Sequence, residues 1–407
     1  MLIVSQYFWP EEFRINDLAK MLVEEGQQVE VMTGKPNYPH GKIYDGYKPF
    51  GYQLEVCDGV VIHRIPLLAR GTGGLRLALN YISFVISGLL WSPWVLRRRK
   101  FDIIFVYAPS PILQAIPAIF LGWIKDAPVV LWVQDLWPAS LSATGYIKSK
   151  IVLKLVEHVV RFIYRRVDLL LAQSQAFIAP IIKLASGTPV KYYPNSVDDV
   201  FSSTSALCAP NVTGLGDGFS VMFAGNVGSA QAVEVIIEAA TLLQEYNDIH
   251  FVVLGDGSRR NWLLQEVKNR GLSNFHLPGR FPLETMPSFM QKASVLLVTL
   301  ADHGVFAATV PNKIQAYMAA GRPILACLNG EGGRLVLEAV AGLAVPAEDS
   351  KELSVAVLKL YRMSYIERET LGGNGRNYYK EHFDNDKLVP ELINHFQMVL
   401  QNKKELS

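Results

Sequence analysis

The chain has 407 residues, room for two domains that each bury a full core. Its 39 Lys/Arg nearly balance 37 Asp/Glu, and a net charge of +2 gives no case for nucleic acid as a partner. Half the residues are apolar and 19% are charged, which leans toward membrane contact, while the scattered Cys57, Cys208 and Cys327 argue against a disulfide framework or zinc site and suit a reducing compartment.

The first run, "MLIVSQYF" (1–8), reads as a strand. It lacks the basic flank and small-residue cleavage site of a secretory leader, so the chain is expected to stay in the cytoplasm. "INDLAKMLVEEG" (15–26) is a helix ending on Gly26, and "QVEVMTG" (28–34) is the next strand. The segment 75–100 is nearly uncharged from Leu77 to Leu96 and ends in Arg97, Arg98, Arg99 and Lys100. Its length approaches a bilayer span, but Asn80, three serines and Pro93 interrupt it. Docking on a membrane surface is the expectation adopted; a buried helix with a solvated basic turn, or a true span, stays open.

Strands follow at 101–109, 127–135, 168–174 and 190–196. They are continuous apolar runs, as expected where helices cover both sheet faces. Alternation with helices implies a parallel, doubly wound α/β sheet with right-handed crossovers. The Ser-, Gly- and Asp-rich 198–217 reads as a linker. The rhythm restarts with strands at 219–226, 250–257, 293–300 and 322–328 and a helix at 232–246. The expected division is therefore 1–197, one Rossmann-like domain, then 218–375, a second. Helices at 376–407 are expected to pack back on the first domain.

Chemistry gathers where the second domain's strands end in Gly-bearing turns. Gly225 and Gly228 lie in "FAGNVGSAQ" (223–231), Gly255, Gly257 and Arg259 in "VLGDGSRR" (253–260), Arg280 and Phe281 in "HLPGRFP" (276–282), and Glu331 and Gly332 in "LNGEGG" (328–333). Each alone is as consistent with a plain turn; four at one sheet edge, several with a cation, favour phosphate. In "VPNKIQAYMAAGRPILACL" (310–328) the spacing of Ile314, Tyr317 and Met318 predicts a helix stopped by Gly321 and Pro323. Its first turn carries Lys313, beside Asn312, and no acid. A cation at a helix N-terminus is mildly unfavourable unless an anion binds there.

In the first domain, "WVQDLWP" puts Asp135 at a strand end. It could bind a ligand hydroxyl and assist its deprotonation, or simply cap a helix before Pro138. Glu11, Arg14, Lys35, Asn37, Tyr38 and His40 lie in "QYFWPEEFR" (6–14) and "KPNYPHGK" (35–42) at the same edge and are candidates for phosphate or sugar contacts.

Together with "YPNSVD" (193–198), "GNVGSAQ", "LGDG" and "YMAAGRP", this organisation resembles the GT-B fold glycosyltransferases of family 4. The resemblance implies two Rossmann-like domains facing across a cleft, 1–197 acceptor-binding and 218–375 nucleotide-sugar-binding, with retention of configuration and no metal cofactor; Asp135 and the candidates in 6–14 and 35–42 would then be acceptor contacts. The family's two glutamates, eight positions apart, fall on Ala308 and Ala316, and its Arg/Lys pair on Asn226 and Gln231. Lys313 is therefore the expected diphosphate ligand and stabiliser of the transition state, with Asn226 and Gln231 as hydrogen-bonding donor contacts. "VSQYFWPEEFRINDLA" (4–19), "TGKPNYPHGKIYDGY" (33–47), "WVQDLWPASL" (132–141) and "VPNKIQAYMAAGRPILA" (310–326) are similar to the L-fucosamine (N-acetyl-L-fucosamine) transferases of bacterial O-antigen and capsule clusters. That implies a UDP-linked N-acetylated 6-deoxy sugar, a polyprenyl-diphosphate-linked acceptor and a place on the cytoplasmic face of the inner membrane. A sugar-nucleotide 2-epimerase of the same fold, or an inactive nucleotide-sugar-binding subunit, are the competing readings.

Overall fold

The computed structural model describes residues 1–71, 73–143, 147, 149–197, 199–202 and 207–406. The chain divides into two compact units, 1–194 with 388–407, and 195–387.

In the first unit the elements run β1 (Leu2–Val4), α1 (Ile15–Glu24), β2 (Glu30–Thr33), β3 (Gln53–Cys57), β4 (Val60–Arg64), α2 (Gly74–Val95), β5 (Ile104–Ala108), α3 (Ala115–Lys125), β6 (Val129–Val133), α4 (Ala139–Ala143), α5 (Lys150–Tyr164), β7 (Leu169–Ala172), α6 (Gln175–Ala185) and β8 (Val190–Tyr192). The eight strands order as β3-β4-β2-β1-β5-β6-β7-β8. All neighbours pair in parallel except β3, which is antiparallel to β4. The wholly parallel expectation is corrected at this edge. Asp58 and Gly59, at φ 49° and 77°, make the tight turn whose twist suits a two-residue hairpin.

Crossovers from β4 to β5, β5 to β6, β6 to β7 and β7 to β8 all step the same way across the sheet. Being right-handed, they place α2, α3, α5 and α6 in one layer, and the reverse step from β1 to β2 places α1 on the other face. That other core joins Ile15, Leu18 and Leu22 of α1 to Ile3, Phe105 and Trp132, and to Leu392 and Phe396 of the C-terminal helix.

α2 is the one helix among the described residues long and apolar enough to cross a membrane by length and composition. Its sidedness is inverted: Asn80, Ser87 and Ser92 are buried, whereas Leu79, Ile82, Ile86, Leu90 and Trp94 are exposed. Asn80 Oδ1 accepts from Gln6 Nε2 at 2.7 Å, and its Nδ2 donates to the Leu68 carbonyl. Gly88 leaves no room for a side chain, since a Cβ would lie 2.6 Å from Pro117. These contacts hold α2 along its length as a surface helix.

The second unit runs α7 (Asp199–Ser202), β9 (Phe219–Ala224), α8 (Glu234–Leu242), β10 (Ile249–Leu254), α9 (Arg260–Arg270), β11 (Phe275–Gly279), α10 (Met286–Lys292), β12 (Val295–Thr299), α11 (Gly304–Ala308), α12 (Asn312–Ala320), β13 (Ile324–Cys327), α13 (Glu331–Glu338), β14 (Gly342–Val345), α14 (Ser350–Arg362) and α15 (Tyr365–His382). Its six strands are all parallel, in the order β11-β10-β9-β12-β13-β14. Sequence reading missed β11 and β14. β11 ends in Pro278 and Gly279, which masked the strand as a turn.

Two boundaries shift. The described part of 198–217 is no free linker: Ala209 and Leu215 are buried in the core with Met222, and the Ala209 amide donates to Ser288 Oγ at 3.0 Å. Nor does the whole of 376–407 join the first unit. α15 stays in the second because Gly372 lets it close on α12, where a Cβ would come within 2.2 Å of the Gly321 carbonyl. Only from Leu388, within α16 (Asn385–Leu406), does the chain belong to the first unit. There the Leu388 carbonyl accepts from Tyr193 Oη, and Lys403 Nζ pairs with Asp126 at 2.6 Å.

Candidate active site

In the second unit the turns after β9, β10 and β11 are laced together by their backbones. The Gly225 amide donates to the Leu254 carbonyl, the Gly255 amide to Gly279, and the Val227 amide to Asp256, all within 2.9 Å. Gly255, at φ 139°, is needed for this fit: a Cβ there would sit 1.8 Å from the Gly225 carbonyl oxygen. A Cβ on Gly257 would meet the Val227 carbonyl at 2.4 Å. These glycines first let the turns approach one another.

Lys313 stands in the first turn of α12, whose N-terminus has no side-chain cap. A cation is the wrong charge for that helix end, and it carries no ion pair among the described residues. Its Nζ lies 3.7 Å from the centroid of the Phe223 ring and donates to Gln231 Oε1 at 2.9 Å. Burial pushes its pKa down to about 7. Gly225 makes the room, because a Cβ at that position would fall 2.7 Å from Lys313 Cε. Gln231 is fixed in turn: its carbonyl accepts from Thr299 Oγ1, and the Ala230 carbonyl accepts from the Ala301 amide at 3.0 Å. Lys313, Gln231 and Gly225 are thus brought together. Asn226 is exposed on the same turn, next to Gly257.

Other expected donor residues are otherwise engaged. Arg259 pairs with Glu234 of α8 and stacks on Trp262 at 4.5 Å, so its charge is directed into the helix layer and not toward a diphosphate. Glu331 is held by Arg334 at 3.0 Å, one turn along α13. Gly332 serves packing, a Cβ there lying 2.9 Å from Ile314 Cδ1. Asn312 Oδ1 accepts from Asn195 Nδ2 at 2.9 Å. Phe281 packs on Phe289 with ring centroids 4.8 Å apart, and Arg280 is exposed. Arg260, passed over in the sequence, reaches the end of β11, its Nη2 3.8 Å from where a Gly279 Cβ would stand.

In the first unit most of the expected acceptor residues form a scaffold. Glu11 is buried and accepts backbone N–H from Asn37 (2.7 Å), Tyr38 (2.6 Å) and Phe8 (3.3 Å), clasping two loops together. Its burial still raises its pKa to about 7. Asn37 is consumed likewise, donating to the Lys35 carbonyl and accepting from the Arg70 amide. Lys35 is buried against Gln53 Oε1 at 3.0 Å, and burial beside Arg64 lowers its pKa to about 8. Glu11 and Asn37 therefore hold the loops, because their polar atoms are spent on protein partners, and their assignment as ligand contacts is corrected; Lys35, with one hydrogen bond to Gln53, stays a candidate.

Tyr38 belongs to an aromatic triad with Tyr7 and Phe13, the latter two stacked at 5.1 Å, and Arg70 lies over its ring. His40 is exposed. Arg14 opens α1, and its Nε and Nη1 are buried with no hydrogen-bond partner among the described residues. Asp135, half-buried after β6, is surrounded by the Ser140 hydroxyl, the Trp137 side chain and the Leu136 amide, and burial lifts its pKa to about 6. The first α4 amides bond to the Leu136 and Pro138 carbonyls, so Asp135 holds the turn before α4, and its carboxylate can take a proton near neutrality.

The chain matches two family models, "Glycosyl transferase 4-like domain" over residues 12–195 and "Glycosyl transferases group 1" over 218–363. The chain is a glycosyltransferase. The glycosyltransferase is 24% identical to the "Putative colanic acid biosynthesis glycosyl transferase WcaI" of Escherichia coli K12 over 93% of this chain and 94% of that one. It is 27% identical to the "Probable glycosyltransferase WbjE" of Pseudomonas aeruginosa, covering 78% and 77%. Among solved structures it is similar to Anabaena HepE in complex with UDP, with a TM-score of 0.67, 14% identity and 98% and 99% coverage. That likeness carries the fold: two Rossmann-like domains, as the GT-B resemblance implied. In this glycosyltransferase Ala316 lies on α12 itself, one turn after Lys313, and is buried in the core. No group of three or more His, Cys, Asp or Glu that could hold a metal is found among the described residues.

Proposed function

We propose that this glycosyltransferase moves an N-acetylated 6-deoxy sugar, N-acetyl-L-fucosamine as first choice, from a UDP donor to a polyprenyl-diphosphate-linked saccharide. The reaction retains configuration, needs no metal and belongs to O-antigen or capsule synthesis at the cytoplasmic face of the inner membrane. α2 and its basic flank dock the enzyme where such an acceptor lies. Relatives named for colanic acid biosynthesis and O-antigen chains support the pathway class. A fold neighbour in complex with UDP supports the donor class.

The observation that carries the reading is Lys313: a cation at an uncapped helix N-terminus, with a ring on one side and one amide oxygen as its hydrogen-bond partner. A diphosphate supplies the charge this site lacks. In the reaction the bond from the anomeric carbon to the β-phosphate oxygen breaks as the acceptor oxygen bonds to that carbon on the same face. The departing phosphate oxygen takes the acceptor proton. Negative charge grows on the diphosphate, where Lys313 and the α12 amides lower its energy. In this reading Asp135 contacts the acceptor hydroxyl and Arg14 the acceptor phosphate.

Purified enzyme should be incubated with UDP-N-acetyl-L-fucosamine and polyprenyl-diphosphate-GlcNAc, with other UDP-sugars in parallel. Glycolipid product supports the proposal. Epimerised donor without transfer would establish the 2-epimerase, and donor binding without turnover an inactive subunit.

A further inference from the structure

The layer formed by α2, α3, α5 and α6 presents more than α2 to the outside. Trp94 on α2, Trp123 on α3, Ile151, Leu155 and Phe162 on α5, and Ile182 on α6 are all exposed, Trp123 and Ile151 at 81%. α2 packs on α3, α3 on α5 and α5 on α6, so these residues lie on neighbouring helices of one layer. Lys125 Nζ donates to the carbonyls of Leu96 and Arg99, which ties the C-terminal ends of α2 and α3 together and sets Trp94 and Trp123 at the same end of the layer.

Charge on this layer is one-sided. Residues 74–100, 115–126, 149–166 and 175–185 hold twelve Lys or Arg and two Asp or Glu, in a chain with 39 against 37. The remainder is therefore acidic overall, and the excess of cations is local to these helices. A second protein copy would bring cations against cations. An anionic bilayer complements them, while exposed Trp and aliphatic side chains on the same helices suit the headgroup–acyl boundary.

We infer that the whole four-helix layer, with α5 as a principal contact, is a docking face for a bilayer rich in anionic phospholipid. This rests on the membrane part of the proposed function and extends it from residues 75–100 to a surface. α5 lies flat on the interface, its Ile151, Leu155 and Phe162 inserted and Lys150, Lys154 and Arg161 among the headgroups.

The full chain should be sedimented with vesicles of phosphatidylethanolamine and phosphatidylglycerol (3:1), and with phosphatidylcholine alone, across a salt series. The expected result is binding to the first that weakens with salt, little binding to the second, and at least a tenfold loss of partitioning in the Ile151→Glu/Leu155→Glu variant. Lys154→Glu, which leaves the apolar strip intact, should weaken binding at low salt and make what remains less sensitive to salt. Each variant's melting temperature shows whether it folds, and transfer to a water-soluble acceptor, which needs no membrane, should be unchanged. Equal binding by the α5 variants and the wild type overturns the inference. So does a concentration-dependent dimer that the α5 variants abolish. Loss of transfer to the soluble acceptor in the wild type would instead count against the proposed reaction and leave the vesicle result standing.

Discussion

The Lys313 ammonium lies 3.7 Å from the centroid of the Phe223 ring and hydrogen-bonds Gln231, a residue 82 positions earlier in the chain. The ring's negative face and one neutral oxygen orient the cation without neutralising it, leaving its charge available to a ligand. Lys313→Ala is expected to lower kcat about 10²–10³-fold, the scale of losing one preorganised electrostatic contact. Its melting temperature should hold or rise, because the substitution removes a buried amine that is costly to desolvate. Steady-state kinetics beside a thermal melt separates the two; near-normal transfer by Lys313→Ala would sink the assignment.

Lys313 also predicts a pH dependence. Its pKa is about 7 in the folded chain against 10.5 in the unfolded one. The unfolded state thus binds more protons between those values, and this group's contribution to stability rises with pH across the window. Donor affinity runs the other way. A diphosphate favours the ammonium, so binding above about pH 7 must take up a proton, and donor Kd is expected to rise up to about tenfold per pH unit. Calorimetry in buffers of different ionisation enthalpy should detect that proton, and Lys313→Arg should abolish the uptake.

Glu11 makes the opposite case for stability. Burial raises its pKa from 4.5 to about 7, so the folded state binds the extra proton. Its contribution is fully present below about pH 4.5 and is lost as pH rises through 7. Glu11→Gln keeps an acceptor oxygen for the loop amides and should melt higher than wild type at pH 8. Glu11→Ala leaves those amides unpaired and should cost about 1–3 kcal/mol. Urea unfolding at pH 5 and pH 8 measures both.

Gly225→Ala tests the space beneath Lys313. A methyl there lies 2.7 Å from Lys313 Cε, and the residue's φ is 134°. A loss of about 1–3 kcal/mol of stability is expected from the strain. Displacement of Lys313 should add a rise in donor KM; Gly255→Ala, whose Cβ would fall 1.8 Å from the Gly225 carbonyl oxygen, should cost more stability. A lower melting temperature with unchanged KM would show that Lys313 does not need this gap.

Asp135→Asn separates a substrate-orienting carboxylate from a structural one. Asparagine keeps an acceptor oxygen for the groups around Asp135, so stability should change by about 1 kcal/mol or less. If the carboxylate orients the acceptor hydroxyl, kcat/KM falls about 10²-fold and the acidic limb of its pH profile, near pH 6, disappears. An unaltered profile would leave Asp135 as a structural residue of this turn.

Local pattern determined much of this protein. The helix carrying Lys313 was legible because apolar spacing and helix stops are written within one or two turns: α12 ends at Gly321, in the left-handed conformation at φ 69°. The rhythm of continuous strands and helices likewise implied two parallel α/β sheets. The hairpin at Asp58–Gly59 was written as a D-G pair between strands and could have been read. What sequence could not decide was which polar atoms meet. Arg259 looked free until α8 placed Glu234 against it, and Glu11 and Asn37 looked like ligand contacts until two loops from different strand ends closed over them. Lys313 was expected from sequence to meet a diphosphate, but the protein groups that orient it, Phe223 and Gln231, came only with β9 and the turn after it. Secondary structure follows from neighbours in sequence, because hydrophobic period and backbone geometry act over a few residues. Pairing of side chains 20 to 80 positions apart depends on the order and hand in which those elements pack, and only the tertiary structure fixes that.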